Sequence, residues 1–254
     1  MRETEVLLRK KTGVNNFSVT RKGNIVTLWS PPGRIKQTTV DIANPALPGL
    51  EYARNCILSL AFQPKPESLL VLGLGGGAVP MMFYHICPNI HIDVVELDPV
   101  IYEAAEKYFN FITDARVSVY IDDASLFIKK NGQKYDIIIM DAFIGQKQNP
   151  SLTSEEFFMA ASKRLNPGGL FVTNLMTKYK SRFDQMKHKI VAVFNSLWIF
   201  PGEISANALA FAKNEKITKK LITKNILQLQ IPIPWETQKK LLAGCYSKRH
   251  GCFV

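Results

Sequence analysis

The chain contains no apolar run of the roughly 18 residues a bilayer-crossing helix requires. Its opening residues, Met1-Arg2-Glu3-Thr4-Glu5, lack the apolar stretch of a secretory signal. Neither a membrane span nor export is expected, and the expected location is the cytoplasm. Cysteine is scarce: Cys56, Cys87, Cys245 and Cys252 form no CxxC pair, and with only four histidines there is no metal-ligand cluster. Inert thiols in a reducing compartment are the expectation, with no metal. Internal repeats and low-complexity tracts are also missing, so a solenoid or a disordered array is not expected. Acidic residues are the minority, 21 against 32 basic, for a net charge of +11. The excess is uneven: residues 1–70 carry +5, residues 71–180 carry −2 and residues 181–254 carry +8. Such flanks suit either a polyanion or plain solvation. The basic residues are scattered and lack interleaved aromatics, which favours solvation and argues against a nucleic-acid partner.

What is present is an ordinary globular composition, 46% hydrophobic and 21% charged over 254 residues. That length fits one large domain, or one domain plus a small one. Residues 1–48 read as a small β unit: Phe17–Thr20 and Ile25–Trp29 flank the turn Lys22-Gly23-Asn24. Residues 49–254 read as the main domain. Leu50–Phe62 is apolar at helical spacing and stops at Pro64 and Pro66. Strands are expected at Leu69–Leu72, Ile90–Glu96, Val117–Ile121, Tyr135–Asp141 and Leu170–Leu175. Helices are expected between them, at Ala78–Ile86, Pro99–Phe109, Ala124–Lys130 and Ser154–Leu165, the last with Thr153 and Glu156 as a capping box. A basic amphipathic helix around Phe183–Phe194, two more strands (Leu197–Phe200, Leu209–Ala212) and a surface helix over Lys213–Gln230 complete the pattern. Apolar strands joined by crossover helices predict an α/β fold, a Rossmann-like doubly wound sheet of seven strands as in class I methyltransferases.

The richest stretch is Ser68–Asp98. An apolar strand runs into Gly73-Leu74-Gly75-Gly76-Gly77, a helix follows, and a second strand ends on Glu96. Glycines let backbone approach a ligand closely, and the helix start offers free N–H groups. The acid lies about 20 residues beyond, where a carboxylate accepts from both ribose hydroxyls. Acids close the next strands as well: Asp122 and Asp123, with Ala124 at the helix start, and then Asp141. On an adenosyl ligand each has a task. Glu96 takes the ribose, Asp123 (or its rival Asp122) the adenine amino group, and Asp141 the reacting end. Gly73-x-Gly75-x-x-Ala78 also fits a dinucleotide fingerprint. The crowded glycines, the acid after the third strand and the expected strand count favour an S-adenosylmethionine-type ligand.

The ordered pieces LEYARNCILSLAF, VLGLGGGAVP, VVELDPVI, IDDASLFI, YDIIIMDAF and LTSEEFF followed by LNPGG resemble the spermidine synthase (polyamine aminopropyltransferase) family, and specifically its divergent members. The resemblance covers about half the chain, Tyr52 to Leu175. It implies a small N-terminal β-domain before a methyltransferase-like domain, and transfer of an aminopropyl group from decarboxylated S-adenosylmethionine to an amine. It also implies Glu96 as ribose acid, Asp123 as adenine-side acid, Asp141 as proton acceptor and Tyr52 beside the amine. Three departures stand out. Gly76 occupies the place of an acid that holds the cofactor's propylamine, Ile144 replaces the second acid of the catalytic loop, and Ala53-Arg54 replaces Gln-Glu after the tyrosine. A diamine is doubly cationic and needs carboxylates when buried, so these losses, with Arg54 added, point to a neutral or anionic acceptor. Methyl transfer from intact S-adenosylmethionine is the alternative activity, and a non-catalytic adenosyl-binding module the alternative class. The expected partners are a small-molecule amine or other acceptor and a second copy in a homodimer.

Overall fold

A computed structural model of the chain describes residues 3–31, 35–130, 132–144, 147–148, 150–202, 206–229 and 245–247. Four antiparallel strands open it: β1 (Glu5–Lys11), β2 (Asn16–Lys22), β3 (Ile25–Ser30) and β4 (Ile35–Asp41), in sheet order 1-2-3-4. Of these, β2 and β3 match the hairpin legible in the sequence. In β1, Arg9-Lys10-Lys11 obscure the alternation, because an edge strand carries charge that discourages further pairing. Gln37 is an extra residue where the β3–β4 register shifts between Leu28 and Trp29, a bulge that re-aims β4 toward the rest of the molecule.

The expected helix over 50–62 is broken into α1 (Glu51–Asn55), a tighter turn at Cys56–Leu58, and α2 (Ser59–Phe62). Alternation follows: β5 (Ser68–Leu72), α3 (Ala78–Ile86), β6 (His91–Glu96), α4 (Pro99–Phe109), β7 (Val117–Ile121), α5 (Ala124–Lys130) and β8 (Tyr135–Met140). A two-residue pair, β9 (Phe143–Ile144) and β10 (Lys147–Gln148), precedes α6 (Glu155–Lys163). The cap of α6 is Ser154, whose Oγ accepts from the Phe157 N–H at 3.1 Å; Thr153, the expected cap, instead donates to the Pro150 carbonyl. The chain closes with β11 (Leu165–Met176), α7 (Lys180–Val193), β12 (Ser196–Pro201), β13 (Asn207–Lys213), α8 (Lys219–Gln228) and β14 (Cys245–Ser247).

The main sheet runs β14-β12-β13-β11-β8-β5-β6-β7. The seven expected strands are all in it, and the short β14 adds an eighth at the edge. Strands β11, β8, β5, β6 and β7 are parallel, whereas β13, β12 and β14 join antiparallel. Strand alternation sorts the core onto two faces. Leu69 and Val71 of β5 face a cluster with α2, α3 and α8, while Leu70 and Leu72 face α5, α6 and α7. The small sheet buries Phe17, Val19, Val26, Leu28 and Val40 against Ala78, Ile101, Ala104 and Phe109, near the start of α3 and along α4. It therefore stands over the carboxyl ends of the parallel strands, where doubly wound sheets bind ligands. Among the described residues no helix is long and apolar enough to cross a membrane.

Candidate active site

A cleft of about 200 Å³ opens at those strand ends, walled by the main sheet on one side and the small sheet on the other. Of the residues singled out in the sequence, Gly73, Gly75, Glu96, Asp122, Asp123, Ala124, Asp141 and Tyr52 line it. Gly76 and Gly77, expected in the sequence to bind cofactor as well, do not line it. Both are buried behind the wall, where added Cβ atoms would meet Phe109 and Thr38 in the first case and Phe111 in the second. At φ +98° Gly73 brings the end of β5 so near β8 that a Cβ would lie 2.7 Å from the Asp141 carbonyl oxygen.

Glu96 ends β6 and is 8% exposed. Its Oε2 accepts from the Leu74 N–H and its Oε1 from the Asp98 N–H, each at 2.9 Å. Burial pushes its pKa up, and these amides partly offset that by stabilising the anion. Asp123 Oδ1 caps α5, accepting from the Ser125 N–H at 2.7 Å and its hydroxyl at 2.5 Å, while the Asp123 N–H bonds Asp122 Oδ1 at 2.7 Å. The acid pair is thus fixed by the helix start while lining the cleft.

Asp141 lies at the other end. Protein surrounds it, but its surface opens onto the cleft, and burial raises its pKa from 3.8 to about 6. Two side chains stabilise its charged form: Asn174, whose Nδ2 donates to Oδ1 at 3.2 Å, and Tyr52. The Tyr52 hydroxyl donates to the carbonyl of the bulged Gln37 at 3.3 Å. Burial, then the nearby Asp141 charge, holds that phenol well above its ordinary pKa, so it stays protonated at neutral pH. Behind Tyr52 and Asp141 lies a hollow of about 10 Å³, room for about one water, lined by Gln37, Thr38 and Thr39 together with apolar Leu50, Ala53 and Val79. Among the described residues lining the cleft, Asp141 is the one carboxylate at this end; Glu96, Asp122 and Asp123 stand at the ends of β6 and β7.

Arg54 is not part of the cleft, contrary to the sequence reading. Its Nη1 donates to the Pro48 and Gly49 carbonyls at 3.0 and 2.8 Å, pinning the loop before α1. The charge argument about the acceptor therefore rests on missing acids, not on an added base. The sequence reading also missed Asn174, Gln37, Thr38 and Asn15. Asn174 carried a signal, a polar residue inside the apolar run Leu170–Met176. The other three had none, because they enter only when the small sheet docks. Thr38 fastens the two sheets where the expected acid is absent, its Oγ1 accepting from the Gly76 N–H at 2.9 Å.

This closure yields a prediction. A side chain at position 76 would start 2.7 Å from the Phe109 ring and 2.8 Å from the Thr38 methyl. Restoring an acid there as Gly76→Asp is expected to cost about 2–4 kcal/mol of stability through overpacking and a buried charge, with no gain in diamine affinity. Thermal melting and calorimetry against putrescine check both.

The spermine/spermidine synthase domain model matches residues 56–235. The polyamine aminopropyltransferase of Vibrio vulnificus is 38% identical over 152 residues, 59% of this chain and 50% of that protein. The human eEF1A lysine and N-terminal methyltransferase is 30% identical over 224 residues, 77% of this chain and 32% of that protein. The chain thus spans half the length of the first and about a third of the second. Among solved structures, human methyltransferase-like protein 13 in complex with SAH aligns with a TM-score of 0.65 at 26% identity, over 73% of this chain and 95% of that one. A probable spermidine synthase from Corynebacterium glutamicum aligns with a TM-score of 0.74 at 18% identity over 96% of both, a likeness of fold.

Proposed function

Because the chain belongs to the spermine/spermidine synthase domain family and is similar to proteins named as transferases, we propose that it moves an alkyl group from an adenosyl sulfonium to one nitrogen of an amine held at Asp141. The observation carrying this is one cleft with a buried, amide-bound Glu96 at one end and Asp141, its pKa raised by burial, at the other. The residues fit the nucleoside: a glycine turn at Gly73–Gly75 for close backbone approach, Glu96 for the sugar hydroxyls, and Asp122 or Asp123 for the base. The bound sulfonium would supply an electrophilic carbon and a neutral thioether leaving group.

The chain's own part is alignment and proton transfer. An amine reaches the cleft largely as ammonium, since its pKa lies near that of lysine, about 10. Asp141, ionised above about pH 6, pairs with it and takes its proton. Asn174 holds one carboxylate oxygen in place.

Two donors remain in view. The Vibrio relative supports the aminopropyl reading. The charge balance of the cleft favours intact S-adenosylmethionine and methyl transfer. An aminopropyl donor brings a cationic tail and a diamine brings two ammonium groups, yet the described reacting end offers one carboxylate and position 76 is sealed. Calorimetry separates them: methyl transfer predicts S-adenosylhomocysteine binding at least about tenfold more tightly than 5′-methylthioadenosine, a gap of about 1.4 kcal/mol. Tighter 5′-methylthioadenosine, with turnover of decarboxylated donor and putrescine, reverses the choice.

A further inference from the structure

The turn between β1 and β2 is tied to the main domain at one atom. Thr12 Oγ1 donates to Asp98 Oδ2 at 2.6 Å, and Asn15 Nδ2 donates to the same oxygen at 3.0 Å. These partners lie 86 and 83 residues away in sequence. Asp98 is 1% exposed and caps α4 with its other oxygen, which accepts from the Val100 N–H at 3.1 Å. A helix cap needs only one carboxylate oxygen; the second is given to the small sheet. The Asp98 N–H, in turn, donates to Glu96 Oε1 at 2.9 Å. A chain of hydrogen bonds therefore runs from the β1–β2 turn through Asp98 to the acid at the sugar end of the cleft. The same turn places Val14 and Asn15 in the cleft wall, near Leu97 and Ile101.

We propose that Thr12 is a positioning residue for the adenosyl ligand: by gripping Asp98 it latches the β1–β2 turn over the cleft and steadies the backbone amide that aims Glu96. This rests on the adenosyl reading of the cleft. Thr12 itself does not line the cleft, so its influence on a ligand passes through Asp98 and the turn. It also orders the turn, since its Oγ1 accepts from the Asn15 N–H at 2.8 Å. Losing the hydroxyl removes one of three donors to a buried carboxylate and frees the turn together.

The test compares the full chain with Thr12→Val and Thr12→Ser. Thr12 is half-buried on a turn, so neither change empties the core. S-adenosylhomocysteine binding by calorimetry is expected to weaken about tenfold in Thr12→Val and to stay within about twofold in Thr12→Ser, which keeps the hydroxyl, with the melting temperature lowered by only a few degrees in Thr12→Val and unchanged in Thr12→Ser. In the ligand-free proteins, hydrogen exchange is expected to quicken at residues 13–16 and 96–100 in Thr12→Val only. Equal affinity and equal exchange in all three proteins overturn the latch alone. A loss of affinity accompanied by quickened exchange throughout the fold, rather than at those two segments, also overturns it, making the turn a fold element. Wild-type protein that binds neither S-adenosylhomocysteine nor 5′-methylthioadenosine overturns the adenosyl reading itself, and the latch with it.

Discussion

Asp141→Asn is expected to abolish most turnover and, at neutral pH, to make the protein more stable. Burial lifts the Asp141 pKa from 3.8 to about 6, so the folded protein holds this proton more tightly than the unfolded chain does. The sign follows. Below about pH 4 the group is protonated in both states and destabilises nothing. As pH rises through 6 the folded state must ionise a desolvated carboxylate, and stability is lost. A shift of about two units is worth up to about 3 kcal/mol, and less where the cleft admits water, so about 1–3 kcal/mol is the expected gain in Asp141→Asn above pH 6. The gain should vanish below pH 4. The amide keeps an oxygen for the Asn174 donor but takes no proton from an ammonium, so the rate should fall about 10²- to 10⁴-fold. Wild-type turnover should rise with pH through about 6. Denaturant melts at pH 4 and 8, with a pH–rate profile, check all three. A variant less stable at pH 8, or one retaining wild-type turnover, contradicts the assignment.

Asp141 was legible in the sequence, but the site as a whole was so only in part. The strands read clearly because β-branched apolar runs such as Ile137-Ile138-Ile139 stop at glycines or acids, and a doubly wound sheet places those stops along one edge. Glu96, Asp122, Asp123 and Asp141 were visible for that reason. The glycine run was visible as a turn, but not which glycines face the ligand. Backbone path fixes that, and Gly76 and Gly77 turn toward Phe109 and Phe111. Residues from the small sheet were invisible, because nothing local says that Thr38 will meet Gly76 or Thr12 will meet Asp98. Such contacts arise from docking of two apolar faces, a long-range event with no periodic signature. Arg54 was misjudged for a related reason: a charged residue on a helix has several turns and loops within reach, and this one found the Pro48 and Gly49 carbonyls.

Glu96→Gln is expected to weaken adenosyl-ligand binding about 10- to 100-fold, or about 1.4–2.8 kcal/mol. Backbone N–H groups of Leu74 and Asp98 bond one carboxylate oxygen each and that of Leu97 adds to them, so the acid is held oriented and favoured in its charged form, the form that accepts from a ribose diol. The amide of glutamine offers one accepting oxygen. Its NH₂ would face one of those backbone donors, which costs stability and turns the remaining lone pairs away from the sugar. Affinity alone does not separate damage to the pocket from loss of the sugar contact, so the decisive comparison adds the ligand as a second variable. Removing both ribose hydroxyls, as in 2′,3′-dideoxyadenosine against adenosine, should cost wild type most of the same energy and cost Glu96→Gln little. If deletion of the hydroxyls costs both proteins equally, Glu96 does not hold the sugar. Because burial raises the pKa of Glu96, the diol preference should also fade on acidification at a higher pH than for an exposed glutamate, a direction that calorimetry across that range reads directly.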